Sequence, residues 1–388
     1  MDKHHTTIEW MVALAESRSM RAAVWNPIVG CAPAGEGCRN CWAASETHMR
    51  RNNKAVAPFF EGLTKTASDG RAVFNGATRL LDRELLKPLR TRTPTVYFVC
   101  SRSDLFGEGV QDEWIDRVYA VMALCPQHLF LTLTKRPERQ RRWLTTDGLK
   151  IGSGVGAIAG RTRGQVVLYE ASVKLLSHGR NWGDAGMPTW PLPNVWSGVS
   201  IWDQDSADRL IPDLMATPTA RQFVSAEPLL GMVSLNRIHE SFTDEGGLHT
   251  EIWESCLTGR RFDIWSDGDT DGWPKIDWLI VGGESGPRAR PMHPDWARSL
   301  RDQCAAAGVP FFFKQFGEWS SFYDRDIDDP DWKHVPSCDG QMGRGASRWV
   351  NLAGGMGFHG DRVIAMLNIG KKAADRLLDG REHLEVPS

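Results

Sequence analysis

No apolar run in this 388-residue chain approaches the roughly 20 residues that cross a bilayer, so a membrane span is not expected. The first seven residues are polar and lead into nothing like a secretion signal, which predicts a cytoplasmic protein. Charge of one sign is equally scarce. With 46 Lys and Arg against 48 Asp and Glu, the formal net charge is -2; this excludes a polycation that wraps duplex by bulk charge and an acidic disordered tail. Any contact with nucleic acid must therefore be local. Eight cysteines are too few for a disulfide scaffold. There is no internal repeat and no low-complexity segment. Trp is plentiful, at 17 residues, and each needs a packed ring and a partner for its N–H.

Short apolar runs recur at 22–25, 96–100, 129–133, 195–201, 222–225, 278–281 and 309–313, and stretches of helical periodicity stand between them at 113–124, 204–215 and 294–307. Near-continuous apolar strands alternating with helices predict an α/β fold with a parallel sheet, a partial or complete (βα) barrel of the TIM-like kind. One domain is expected over 1–388, because such barrels run past 200 residues as a single unit. Two stretches break the rhythm, 143–193 and 236–275, and are read as insertions at the barrel ends. A C-terminal extension covers 315–388, and within it 370–380 reads as a short amphipathic helix stopped by Gly380.

Three cysteines fall within eleven residues. Six residues separate Cys31 from Cys38 and two separate Cys38 from Cys41, on a loop with Gly30, Pro33, Gly35 and Gly37, and Cys41 opens a helix running to Arg50. Three thiolates on one loop can hold one ion or one cluster. With three protein ligands a 4Fe-4S cluster keeps one iron open to a non-protein ligand, as reductive cleavage of S-adenosyl-L-methionine (SAM) requires. A structural zinc site with His48 as fourth ligand also fits the spacing, as does plain packing of three reduced thiols. The loop follows the first strand and so falls at the C-terminal face, where barrel enzymes keep their chemistry.

The motif Trp25-Asn26-Pro27, Gly30-Cys31, Gly37-Cys38 and Cys41-Trp42-Ala43 resembles the three-Cys-motif phage protein family, a group similar to radical SAM enzymes. The resemblance continues through Ser103-Asp104-Leu105-Phe106, Leu133-Thr134-Lys135-Arg136-Pro137, Ser197-Gly198-Val199-Ser200, the run 223–231, Val281-Gly282-Gly283-Glu284-Ser285-Gly286 and the run 313–319. It covers most of the chain outside the insertions. Most radical SAM enzymes have three residues between the first two cysteines, and their aromatic residue precedes the third; here there are six, and Trp42 follows. Position 44 is Ala where the family often has an acid.

The resemblance implies a cytoplasmic radical SAM-type enzyme in which Cys31, Cys38 and Cys41 bind the 4Fe-4S cluster and Trp42 borders the adenine of SAM. It further implies a 5'-deoxyadenosyl radical, an electron donor of the flavodoxin kind, and a nucleic-acid or nucleotide substrate, as in DNA base hypermodification or repair. There is room for a separate partner protein. No residue is assigned a catalytic role.

Polar residues just after strands are expected to face the site. Asp104 and Glu227 suit a ribose diol or ammonium, and Lys135 or Ser200 a carboxylate. Arg136, Glu284, Arg288, Arg290, His293, Lys314 and Gln315 are the substrate-binding candidates. The turn at 282–286 would offer backbone N–H groups to an anion, helped by Arg288 and Arg290. The basic run 135–142 either tracks a nucleic-acid backbone or is a solvated helix face with Lys135 alone pointing inward. The Trp-rich insertions are either stacking surfaces for an extruded base or covers over the cluster. The rival functions are a zinc-dependent nucleic-acid hydrolase or deaminase and a zinc-stapled binding module. The chain has no His-x-Glu ahead of the cysteines, as a zinc deaminase would.

Overall fold

Seven apolar segments pair side by side in the order in which they occur along the chain: β1 (Arg21–Trp25), β2 (Thr95–Val99), β3 (Leu129–Thr134), β4 (Val195–Ile201), β5 (Arg221–Ala226), β6 (Trp278–Gly282) and β7 (Phe311–Gln315). Every pairing is parallel. The computed structural model describes residues 5–146, 163, 164, 167, 189–243, 249–263, 270–326, 335–341, 343–360 and 362–388. In it the sheet curls into a half-barrel, so the expected α/β class and partial barrel are present. The cause is the connections. A right-handed crossover that always steps to the next strand keeps the connecting elements on one face, which becomes the outer wall, and leaves the other as the inner wall.

Among the described residues, the helices of nine residues or more are α1 (Glu9–Ser17), α2 (Trp42–Arg50), α3 (Asp112–Ala123), α4 (Pro137–Thr145), α5 (Gln204–Met215) and α6 (Pro294–Ala307). Successive strand residues point to opposite faces, and this period of two sorts the core. Trp25, Tyr97, Val99 and Phe130 pack outward with α3, while Val199, Ile201, Val224, Leu279 and Val281 pack outward with α5 and α6. Inward, Ala22, Val96, Leu131, Trp196, Phe223, Trp278 and Phe312 gather around Trp10, Met11 and Leu14 of α1. A fully buried side chain such as Phe312 stabilises the fold by about 1.5–3 kcal/mol. Gly198 belongs to this layer, and a Cβ there would stand 2.4 Å from the ring of Phe223. Most of these inward residues lie in the earlier parts of their strands, so α1 plugs the base and leaves the C-terminal mouth to polar side chains.

The described parts of the two insertions pack on the outer wall. Most of 143–193 lies outside the described residues. Its described part returns to the outer wall, where Val167 is buried beside Trp143 and Trp190, and Arg163 pairs with Asp116 at 2.6 Å. The stretch 236–275 contains four antiparallel strands, Ile238–Thr243, His249–Glu254, Arg260–Asp263 and Thr270–Asp271, in place of a helix between β5 and β6. Ile238, Cys256 and Leu257 bury its inner side in the core shared with α5. The C-terminal extension carries a second antiparallel sheet, of Trp319–Asp326, Ser347–Asn351 and Arg362–Asn368.

The helix expected at 370–380 is absent. Gly370, Asp375, Asp379 and Gly380 all take positive φ, which breaks any helical run into turns, and Leu378 is buried among them. The chain then runs antiparallel to β7. Phe313 N–H donates to His383 O at 2.9 Å, Leu384 bridges Phe312, and Trp278 Nε1 donates to Glu385 O at 2.9 Å. Among the described residues no helix is long and apolar enough to cross a membrane.

Candidate functional site

After β1 the chain turns across the mouth. Asn26 fastens this turn, its Oδ1 accepting from Ser101 Oγ and Arg102 N–H, both at 3.1 Å. Further on, the loop is held from three sides. Arg136, after β3, donates to Ala32 O at 2.7 Å. The ring of Trp202, after β4, lies against Gly35 and Gly37, where a Cβ would stand 2.7 Å from it in either case. Arg290, after β6, donates to Glu36 O at 3.0 Å and pairs with the Glu36 carboxylate at 3.2 Å. Asn40 donates to Glu284 at 2.9 Å and to Arg288 O at 2.8 Å. A loop that leaves β1 and is gripped by residues following β3, β4 and β6 lies over the C-terminal mouth.

This loop brings Cys31, Cys38 and Cys41 within electrostatic reach of one another, all as free thiols. Burial, helped by the Asp104 carboxylate, pushes Cys31 up to about 12, with Arg136 opposing. Burial raises Cys41 as well, against backbone N–H groups of Ala44 and Ala43 aimed at its sulfur from the first turn of α2. Ala34 N–H points at Cys38 Sγ from 3.4 Å. With their pKa values raised, Cys31 and Cys41 hold their protons until a positive centre arrives, and loading one releases them.

The donor set suits an iron–sulfur cluster: three thiols, N–H donors on two of the sulfurs, and the cations Arg136 and Lys135 close by to offset cluster charge. His48, the alternative fourth ligand, has Nδ1 at 3.1 Å from Thr64 Oγ1. Among the described residues no three His, Cys, Asp or Glu side chains form a ligand group for a single ion.

Beneath the loop, the inner wall presents four of the anticipated polar residues. Lys135 Nζ donates to Ser200 Oγ at 2.7 Å, and Ser200 Oγ donates to Glu227 O at 3.2 Å. Lys314 pairs with the Glu227 carboxylate. These residues come from the ends of β3, β4, β5 and β7, on the parity of the inward-facing apolar layer. Two ammonium groups face one carboxylate, so the wall suits a ligand bearing a carboxylate or phosphate. Cys41 and Lys135 are within electrostatic reach, which joins loop and wall into one site.

Other anticipated residues are bound into the fold. Asp104 accepts from Thr134 Oγ1 (2.7 Å), Phe106 N–H (2.9 Å), Lys135 N–H (3.0 Å) and Arg136 (3.0 Å), which makes it a brace rather than a ligand for a diol. Lys135 is not alone in pointing inward, because the Arg136 side chain is only 9% exposed. Arg139 and Arg141 pair with Asp112 (2.9 Å) and Asp213 (2.7 Å), so much of this run's charge is met within the protein, while Arg142 is exposed. Glu284 accepts from Arg290 through the side chain at 2.7 and 2.9 Å and through the backbone at 2.8 Å. Arg288 donates to Asp69 O at 2.9 Å. The turn at 282–286 already holds an anion of its own, since Gly286 N–H donates to Glu318 at 2.9 Å.

Gln315 donates to Gly283 O at 3.0 Å and fastens β6 to β7. His293 is the N-cap of α6, its Nδ1 accepting from Asp295 N–H at 3.1 Å, and its buried ring lies near Trp296 and Arg362, away from the thiols. Trp42 is 53% exposed and shares the outward face of α2 with Ser45 and Met49. Glu36, Asn40 and Trp202 were missed by sequence reasoning. Asn40 stands beside Cys41 and Trp202 closes a strand, and those positions were the available signals. A cleft of about 420 Å³, lined by 215–222, Pro274, Lys275 and Asp277, lies at the base, ahead of β5 and β6.

A family model described as "Protein of unknown function (DUF5131)" matches residues 5–387. Neither the curated proteins nor the solved structures give a match.

Proposed function

We propose that this chain, which belongs to the DUF5131 family, is a radical SAM-type iron–sulfur enzyme acting on a nucleic-acid or nucleotide substrate. One observation carries the reading. Three free thiols share a loop clamped across the C-terminal mouth of a parallel half-barrel, above a wall whose cations outnumber its anions. Cys31, Cys38 and Cys41 would hold a 4Fe-4S cluster by three corners. Bound there, such a cluster supplies the electron that cleaves SAM to methionine and a 5'-deoxyadenosyl radical able to take a hydrogen from substrate.

The chain's own part is binding, orientation and exclusion of water. Lys135, whose ammonium donates to Ser200, takes the carboxylate of SAM. Glu227 offers its carboxylate to the SAM ammonium or ribose diol, with Lys314 holding it in place. Asp104 fixes the backbone of Lys135 and the guanidinium of Arg136, and Arg136 in turn fixes the loop at Ala32. Trp202 holds the loop by packing its ring against Gly35 and Gly37. An electron donor of the flavodoxin kind belongs to the same reading, as does a cytoplasmic setting.

The test is anaerobic reconstitution with iron and sulfide. We expect a brown protein with a broad visible band and, with dithionite and SAM, formation of 5'-deoxyadenosine. Changing any one of Cys31, Cys38 or Cys41 to Ala should abolish that product. A colourless protein holding one zinc ion per chain would overturn the proposal in favour of a zinc-stabilised nucleic-acid-binding or hydrolytic protein.

A further inference from the structure

The segment after the third cysteine builds a cap that the barrel itself does not require. α2 packs on a short turn, Ala57–Phe60, and on a hairpin of Thr64–Thr66 and Ala72–Phe74. Its inner face is Ala43, Ala44 and Thr47, all buried, with Ala43 and Ala44 against Phe74. Its outer face, at helical spacings of three and seven, is Trp42, Ser45 and Met49. Trp42 is 53% exposed, Met49 66%, and Phe59 on the adjoining turn 46%.

Charge is segregated in the same place. Positions 39–79 hold seven Lys and Arg against three Asp and Glu, whereas the rest of the chain holds 39 against 45. Arg51, Lys54 and Lys65 are exposed, and among the described residues none has an acidic partner. The cap is therefore the local basic surface that a near-neutral chain would need in order to meet a polyanion.

We propose that this cap is a docking surface for single-stranded nucleic acid, with phosphates on Arg51, Lys54 and Lys65 and unstacked bases on Trp42 and Phe59. A protein partner would be met by a contiguous apolar centre with a polar rim. Here exposed aromatic side chains share the cap with exposed cations that have no acidic partner among the described residues, which is the composition of a surface that tracks a strand. Trp42 directly follows Cys41, so a strand lying on the cap passes the rim of the mouth. The inference rests on the nucleic-acid reading of the substrate and gives it a location and a strandedness.

The test is fluorescence anisotropy of the full chain with a labelled oligothymidylate of about 20 nucleotides, across a salt series. Binding should weaken linearly with salt on logarithmic axes. The double variant Arg51→Ser, Lys54→Ser should reduce that slope by about 1.4, at about 0.7 for each phosphate left without its cation. Phe59→Ala and Trp42→Ala should each weaken binding about tenfold, the effect of removing one stacked base, with an unchanged melting temperature showing that the fold is intact. Absence of binding by the parent at low salt would overturn the proposal, as would binding that neither pair of variants alters, or duplex bound as tightly as single strand. Formation of 5'-deoxyadenosine without substrate is read separately, so failure of the chemistry and failure of the docking surface remain distinguishable.

Discussion

Single residues near the mouth divide into those that face a ligand and those that hold the loop, and the sequence shows the charge without showing its partner. Glu284 reads as a strand-end acid open to substrate, yet its carboxylate is filled by Arg290 and Asn40. Removing Glu284 leaves Arg290 only its exposed partner Glu36 and strips Asn40 of an acceptor, so Glu284→Ala should destabilise the protein by about 1–3 kcal/mol. Urea unfolding checks this, and Glu284→Gln, which keeps an acceptor, should cost less. Gly198→Ala tests a different kind of packing. Its methyl would collide with the ring of Phe223, and overpacking of this sort costs about 1–3 kcal/mol, read in the same measurement. That the three cysteines share one loop after β1 was legible because thiol spacing is a local property. The pairing of Asp104 with Arg136 was not legible, because it spans the turns after two different strands.

Among the elements, α6 shows how a titratable residue becomes part of a helix end. His293 caps it, Pro294 starts it, and Gly308 ends it at φ 68°. Burial holds the His293 pKa down at about 4, below the roughly 6.5 of an exposed imidazole. Between those values the unfolded chain takes up a proton that the folded one does not, so stability should fall as pH drops from about 6.5 towards 4. His293→Asn keeps a capping acceptor and removes the titration, so urea midpoints measured across that window should flatten. The strands and helices of the barrel were readable because continuous apolar runs and threefold or fourfold spacings are strong local signals. The sheet within 236–275 was not, because strands such as Ile238–Thr243 and His249–Glu254 alternate polar with apolar residues between Gly- and Asp-rich turns.

At the scale of the whole molecule, the half-barrel leaves strand edges that must be covered, and the last residues cover one of them. They pair with β7, receive the indole N–H of Trp278, and Ser388 O accepts from Arg221 at 2.7 Å. Deleting 381–388 should lower the melting temperature and promote association, seen by calorimetry and size-exclusion chromatography, because an unpaired edge invites another chain. Order along the chain is also order across the sheet, and that simplicity made the α/β half-barrel and the position of the cysteine loop predictable from the amino-acid pattern alone. Apolar periodicity, thiol spacing and charge balance are written locally, and they determined the class of the fold, its interior and the three thiols. Tertiary structure decided which strand-end charges remain free at the mouth, which are consumed as clamps, and that Trp42 faces outward. Those outcomes depend on ion pairs and ring packing between segments up to 254 positions apart, such as Glu36 with Arg290, and on how the curled sheet brings them together.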